Sequence, residues 1–232
     1  MEKSNIDEKI KLLTGSGMWH TQEVEGLPSV HLSDGPHGLR KQEEKERQNN
    51  VSLVSTCYPT ASALACSWDV TAAERLGRAV AKEAWNADVA VLLGPGINMK
   101  RSPLCGRNFE YFSEDPFLAG RLGAAYVSAA QGEDVAVSLK HFAANNQETN
   151  RQTANSQIDE RALREIYLSA FEYVVKTARP ATIMASYNRL NGYYACENRH
   201  LLTEILREEW GFDGVVISDW GACADLAKAV KA

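Results

Sequence analysis

The sequence predicts an α/β fold, a (β/α)8 TIM-like barrel that is incomplete in this chain or lacks its last unit or units. Three observations predict it. Short apolar runs alternate with helical patterns along most of the 232 residues, and connections of that kind build a parallel sheet with helices outside. Polar and charged residues collect immediately after the strands, at Asp34, Lys140, His141, Tyr187 and Asp219, while the loops before the strands carry nothing comparable. That one-sided placement is the pattern of a barrel with a chemical mouth at the carboxyl ends of its strands. The run Val215-Val216-Ile217 is apolar at every position, as in a parallel strand covered on both faces. Barrels of eight units need about 250 residues, and this chain stops soon after Asp219 with at least one unit unaccounted for. The competing architecture is a doubly wound open sheet, which carries a Gly-rich phosphate loop after its first strand. Gly94-Pro95-Gly96 serves that role poorly, since proline removes an amide donor. Residues 1–232 are expected to form one domain.

The elements follow in order. Ser4 to Leu13 reads as an amphipathic helix, with Ile6, Ile10 and Leu13 at helical spacing and Asn5 with Glu8 resembling a capping box. Gly15 and Gly17 end it, and Met18 to Pro28 is irregular, leaving Trp19 and His20 without an assigned use. Ser29 to Leu32 is a strand that turns at once through Ser33-Asp34-Gly35-Pro36-His37-Gly38. Lys41 to Asn50 is almost wholly charged or amide and reads as a mobile surface loop. Ala61 to Ala65 reads as a second strand. Val70 to Asn86 is a helix with Thr71 and Glu74 as a capping box, and Val89 to Leu93 is a buried strand. A long polar loop, Met99 to Ser113, precedes a helix opened by Asp115-Pro116. Val135 to Leu139 is a strand ending in Lys140-His141, followed by an Asn- and Gln-rich loop from Ala143 to Gln157. A helix over Asp159 to Lys176, a strand over Ala181 to Ser186 and a helix over Leu201 to Trp210 lead to the strand that stops at Asp219. Ala222 to Ala232 begins another helix, so about six strands are expected in all.

Composition narrows the function classes. A net charge of −5 and the lack of a basic tract with interleaved aromatics argue against nucleic acid as a partner. No apolar run is long enough to span a membrane. Met1-Glu2-Lys3-Ser4-Asn5 has no apolar core behind it, so a cytoplasmic location is expected. Cysteines 57, 66, 105, 196 and 223 are scattered, odd in number and without a CxxC pair, which reads as reduced thiols and no zinc site. No metal and no other cofactor is expected.

Asp219 has two readings: a chemical group at the end of a barrel strand, or a cap for the following helix with Ser218 as a turn residue. A carboxylate at a mouth, flanked by Lys, His, Arg and a second Asp, suits a polyhydroxylated ligand, because vicinal hydroxyls need charge-assisted donors and acceptors in fixed positions. Asp34 can accept hydroxyl protons, Lys140, His141 and Arg107 can donate, and Trp220 and Tyr187 can pack on the apolar face of a pyranose. Asp219 is then left as a nucleophile for an anomeric carbon in a retaining mechanism. The plainer alternatives are a surface lysine at a strand end, a packed histidine, and an Arg107–Glu110 salt bridge that fixes a loop.

Several stretches then stand in an order that resembles the N-terminal domain of glycoside hydrolase family three, the β-glucosidase group. They are Leu32-Ser33-Asp34-Gly35-Pro36-His37-Gly38, Leu93-Gly94-Pro95-Gly96-Ile97-Asn98, Gly106-Arg107-Asn108-Phe109-Glu110 and Glu114-Asp115-Pro116. Lys140-His141-Phe142-Ala143-Ala144-Asn145-Asn146-Gln147-Glu148, Met184-Ala185-Ser186-Tyr187-Asn188 and Ser218-Asp219-Trp220 complete the series. The resemblance implies retaining hydrolysis of terminal non-reducing β-D-glucosyl residues, with Asp219 forming the glycosyl-enzyme. It implies that Asp34, Arg107, Lys140 and His141 hold the hydroxyls of the sugar, that Tyr187 lies near the nucleophile, that Met184 lines the pocket and that Trp220 borders it toward the leaving group. Glu110 would be structural, and Glu148 structural or ligand-orienting.

A retaining mechanism needs a second carboxyl about 5–5.5 Å from the first. In β-glucosidase-like members it is a Glu from a later α/β sandwich domain, so the implied partners are a β-glucoside or oligosaccharide substrate and a missing C-terminal domain or second chain that supplies the acid/base. The hexosaminidase branch instead uses an Asp-His pair in the loop after the Lys-His strand; Ala143 to Gln157 holds neither residue. The alternatives are a sugar-binding or assembly module without turnover of its own, and a lysine Schiff-base lyase on a similar barrel with Lys140 as nucleophile.

Overall fold

Five short strands pair in chain order as one all-parallel sheet: β1 (Leu32–Asp34), β2 (Val91–Leu93), β3 (Ala136–Phe142), β4 (Thr182–Ala185) and β5 (Val215–Ser218). They come from a computed structural model that describes residues 6–42 and 51–232. Helices fill the connections, as parallel pairing requires. α1 (Ile6–Lys11) precedes β1; α2 (Ala61–Ala65) and α3 (Val70–Asn86) join β1 to β2; α4 (Pro116–Gln131) joins β2 to β3; α5 (Ser169–Ala178) precedes β4; α6 (Leu226–Lys231) follows β5. The α/β barrel class is the one observed, with one five-stranded parallel sheet among the described residues, beside a small three-stranded sheet of Asn155–Ser156, Arg189–Leu190 and Tyr193–Tyr194.

The strands sort their side chains by the period of two. Leu92, Val137, Leu139 and Ile183 point outward into the main core, where α3 packs on α4 and α4 on α5. Val91, Leu93 and Met184 point the other way and share a smaller inner cluster with Leu32, Ala136 and Ile217. Counting on by twos from Leu32 reaches Asp34, from Ala136 reaches Lys140 and from Ile217 reaches Asp219. The inner face of the sheet therefore leads, at its carboxyl end, to the residues singled out for chemistry.

Local caps explain most helix starts. Asp115 accepts from the amides of Phe117 and Leu118 with Pro116 in the first turn, as its sequence predicts. α3 starts as expected, but its cap is Asp69, whose carboxylate accepts the Thr71 amide at 2.8 Å, and not the Thr71–Glu74 box. The largest correction is Ala61 to Ala65, read as a strand and found as helix α2. The Thr60 hydroxyl accepts from the Ala63 amide, and an Ala-Ser-Ala-Leu-Ala run without β-branching favours a helix once capped. That removes the sixth strand. The helix expected over Asp159 to Lys176 is broken into Glu160–Ala162, a wide turn over Leu163–Tyr167 and α5, with the Leu168 amide bonded five residues back to Leu163. The last helix begins at Leu226 and not at Ala222, because Asp225 caps it through the Lys228 amide. The capping box on Asn5 and most of the Lys41–Asn50 loop fall outside the described residues.

β5 pairs with β4 as expected, Thr182 against Val215 through Ala185 against Ser218. It is not covered on both faces: Val215 is 59 % exposed, and Val216 and Ile217 are half-buried. β5 is the last strand of the sheet among the described residues, and no described strand pairs with its outer edge. A groove of about 930 Å³ runs along this flank between β1 and β5, lined by Leu12, Leu13, Leu32, Val215, Ile217 and Val230. No described helix is long and apolar enough to cross a membrane. All five cysteines are free thiols.

Candidate active site

The mouth is assembled from the ends of four strands. β1 presents Asp34, β3 presents Lys140 and His141, the residues after β4 present Tyr187, and Asp219 follows β5. Consecutive residues of a regular strand face opposite ways, yet Lys140 and His141 both reach the mouth. The pairing of β3 with β4 slips between Leu139 and Phe142, and a local irregularity of that kind re-aims side chains. β3 is held there by backbone bonds to the turn after β2, from the Ile97 amide to Lys140 O at 2.9 Å and from the Lys140 amide to Pro95 O at 3.1 Å.

Lys140 is 3 % exposed and its Nζ lies 3.4 Å from Oδ1 of Asp34. His141 is 1 % exposed and fixed on every side. Its backbone amide donates to Asn98 Oδ1 at 2.7 Å and its carbonyl accepts from Asn98 Nδ2 at 2.8 Å. Arg107 approaches its Nε2 at 2.9 Å, and Tyr111 OH its Nδ1 at 3.1 Å. A guanidinium can only donate, so Nε2 is the acceptor and Nδ1 carries the proton. Burial, then the nearby Arg107, Lys140 and Arg151, push the imidazole pKa well below its usual value. His141 is therefore neutral, and its 3.7 Å approach to Asp219 Oδ2 is a contact and not an ion pair. In this arrangement Nε2 accepts a hydrogen bond from Arg107 and has no proton of its own to donate to a sugar.

Arg107 is the hub. Its fork also meets Glu110 at 2.6 Å, an ion pair whose angle makes no hydrogen bond. Burial works against its charge, but the oxygens of Tyr111, Glu110, Glu148 and Asp219 around it outweigh that and raise its pKa. The salt bridge proposed by the plain reading and the place at the mouth both hold for this residue. Glu148 is engaged by Arg151 at 2.8 Å and by Asn145 Nδ2 at 3.3 Å, and the Arg151 guanidinium stacks 4.5 Å above the Tyr187 ring.

Asp219 is 8 % exposed. Its Oδ1 accepts the Trp220 amide at 2.8 Å, while Oδ2 is the oxygen facing His141. Burial raises its pKa, opposed by the Trp220 amide, Arg107, Lys140 and Tyr187. It caps no helix, since that role belongs to Asp225. The Tyr187 hydroxyl has one proton and gives it to Trp220 O at 2.7 Å; burial and the Asp219 carboxylate beside it push the phenol up to about 12. Met184 is buried at the floor, and Trp220 is half-buried at the rim.

The structure thus brings Asp34, Arg107, Lys140, His141, Tyr187, Asp219 and Trp220 to one mouth, with Met184 beneath. Sequence reasoning missed Asn98, Tyr111 and Arg151. Asn98 and Tyr111 are buried at the exact spots that fix His141; a polar residue inside an otherwise apolar Ile97–Met99 stretch was the available signal for Asn98. Arg151 sits in a polar loop and gave none. Among the described residues no three or more His, Cys, Asp or Glu gather as a metal site would require.

Comparison with known proteins places these features. The family model described as "Glycosyl hydrolase family 3 N terminal domain" matches residues 36–232. The chain is 52 % identical over 236 residues to a thermostable beta-glucosidase B of Acetivibrio thermocellus, covering 100 % of this chain and 31 % of that protein. It is 50 % identical over 232 residues to an exo-alpha-(1->6)-L-arabinopyranosidase of Bifidobacterium longum, covering 98 % of this chain and 31 % of that protein. The crystal structure of a GH3 beta-glucosidase from Bifidobacterium adolescentis superposes with a TM-score of 0.93 at 49 % identity, over 99 % of this chain and 33 % of that one. The chain spans about a third of the length of these relatives.

Proposed function

Because the chain belongs to glycosyl hydrolase family 3 through that family's N-terminal domain, we propose that residues 1–232 are the nucleophile-bearing barrel portion of a retaining β-glucosidase that releases terminal non-reducing β-D-glucosyl units. The observation that carries the proposal is the pose of Asp219. One oxygen is pinned by the Trp220 amide, and the other faces a bowl bordered by Arg107, His141 and Lys140. In the first step Oδ2 attacks the anomeric carbon, the glycosidic C–O bond breaks, and a general acid protonates the leaving oxygen. In the second step water, deprotonated by the same group, attacks the anomeric carbon and frees the carboxylate. Lys140 with Asp34, and Arg107 oriented by His141, hold the hydroxyls of that sugar, and Met184 and Tyr187 line its pocket.

The acid/base is proposed to be a Glu of a further α/β sandwich domain or a second chain. The two other engaged carboxylates of the mouth support this, since Glu110 is held by Arg107 and Glu148 by Arg151 and Asn145. So does the open flank between β1 and β5, together with relatives about three times longer than this chain.

The second reading, a sugar-binding module without turnover of its own, makes the same bowl and no chemistry. Titration calorimetry of this chain with gluconolactone is expected to give saturable binding, weakened at least tenfold by Lys140→Met, with no hydrolysis of an aryl β-glucoside. No heat above a galactitol control would sink the sugar-pocket assignment. Because one relative at 50 % identity is named an arabinopyranosidase, an L-arabinopyranose-configured iminosugar belongs in the same titration. Tighter binding of that compound would replace glucose by a pentopyranose as the favoured unit.

A further inference from the structure

Resting on the glycosidase reading above, the geometry points to Arg151 as a positioning residue that clamps Tyr187 and, through the Trp220 backbone, sets the pose of the nucleophile Asp219. The backbone of Trp220 is held at both of its polar groups. Its carbonyl accepts from Tyr187 OH at 2.7 Å, and its amide donates to Asp219 Oδ1 at 2.8 Å. Over the Tyr187 ring lies the Arg151 guanidinium, its carbon 4.5 Å from the ring centroid. That guanidinium is anchored in turn, since it donates to Glu148 Oε2 at 2.8 Å. The other Glu148 oxygen accepts from Asn145 Nδ2 at 3.3 Å, and the same amide group donates to Tyr111 OH at 3.4 Å. Tyr111 OH is the partner of His141 Nδ1 at 3.1 Å, and His141 Nε2 lies 3.7 Å from Asp219 Oδ2. A circuit of contacts therefore runs from the His141 side of Asp219 round to its Tyr187 side. Three of its members, Asn145, Glu148 and Arg151, belong to the polar loop after β3.

A tyrosine turns about two side-chain bonds unless its neighbours stop it. The bond to Trp220 O fixes one atom of Tyr187, and the stacked guanidinium fixes the plane of its ring. A stacked cation contributes more as water is removed from it, and the Arg151 side chain is only 34 % exposed. Lysine could supply the charge but not the flat face. Tyr187 is also one of the groups that hold the Asp219 pKa down against its burial. Loss of Arg151 frees the ring, releases the Trp220 carbonyl and weakens that pull, so the Asp219 pKa rises further. Asp34, Lys140 and Arg107 keep their own partners and grip the sugar as before.

The test uses Arg151→Met in the full-length enzyme. The rate at which a 2-deoxy-2-fluoro-β-glucosyl donor inactivates the enzyme reports attack by the nucleophile, and it is expected to fall about tenfold. The Ki for gluconolactone, which reports the sugar pocket, should stay unchanged. The acidic limb of the kcat/KM profile for an aryl β-glucoside should move to higher pH, because Asp219 must be ionised to attack and its pKa is raised. Arg151→Lys should fall between the two. Arg151→Met also leaves the Glu148 carboxylate without its cation, so the double variant Glu148→Gln/Arg151→Met is measured beside it. That variant should show the same slower inactivation and the same shifted limb, and it decides the matter if the single variant does not fold. An unmoved acidic limb with an unchanged inactivation rate would overturn the inference. So would equal losses of inactivation rate and gluconolactone affinity, or a lower melting temperature alone, since either would show Arg151 to be packing only. If the unmutated enzyme turns over no glycoside, the glycosidase reading fails and this inference with it; normal turnover by that enzyme beside any of the overturning results defeats this inference only.

Discussion

Replacing Asp219 by Gly in the full-length enzyme is expected to lower kcat/KM for an aryl β-glucoside by on the order of 10⁴-fold or more, the scale of loss when a covalent nucleophile is removed. The carboxylate is buried, and its pKa is raised by that burial against the pull of the Trp220 amide, Arg107, Lys140 and Tyr187. A group in that position reacts only because its neighbours supply the positive potential that burial removes. Glycine leaves space where Oδ2 stood. Added azide should enter it, attack the anomeric carbon from the same side and yield the α-glucosyl azide, recovering part of the turnover. The fold should survive, because Asp219 serves as no helix cap and its backbone bonds to Ala185 and Ala222 do not involve the side chain. Undiminished hydrolysis by Asp219→Gly would remove the nucleophile from the account.

The second large effect belongs to Arg107→Met. Arg107 holds Glu110 in an ion pair whose side chains are 18 % and 10 % exposed, and it also donates to His141. Removing one partner of a buried pair typically costs about 3–5 kcal/mol, because the other charge is left alone. We expect this chain to lose stability by about 3 kcal/mol and the full-length enzyme to lose about 10²-fold in kcat/KM. His141 gives an independent readout. Burial and then Arg107 hold its pKa down, so the variant's imidazole should titrate at higher pH than the wild type's, as followed by its ring-proton NMR signals. Arg107→Lys should fall between the two, since lysine keeps the charge but not the planar fork. Loss of activity with an unmoved His141 titration would mean that Arg107 acts only on substrate, and the hub described here would have to be redrawn.

Much of this site was legible because its residues sit where the hydrophobic pattern ends. A buried parallel strand shows as an apolar run, and the first polar residues after it must lie at the barrel mouth; Asp34, Lys140, His141 and Asp219 were found that way. Arg107 and Trp220 were singled out by the donor and the flat ring that a sugar needs and by ordered motifs, since the loops holding them have no period to read, and Met184 by the motifs alone. Ala61 to Ala65 was misread since a short apolar run fits strand and helix equally, and the deciding interaction is a single Thr60 hydroxyl. The full cover expected for Val215 to Ile217 depends on neighbours that a strand's own residues do not reveal. Asn98 and Tyr111 matter through contacts with His141, 43 and 30 positions away, and no local pattern encodes such distances.

The account's central claim is that Asp219 becomes covalently attached to sugar. Its most direct test is to inactivate the full-length enzyme with a 2-deoxy-2-fluoro-β-glucosyl donor, digest it and locate the added mass by tandem spectrometry. The account predicts one fluoroglucosyl unit, on the carboxylate of Asp219. An adduct on any other residue, or steady turnover of the donor with no trapped intermediate, would contradict it.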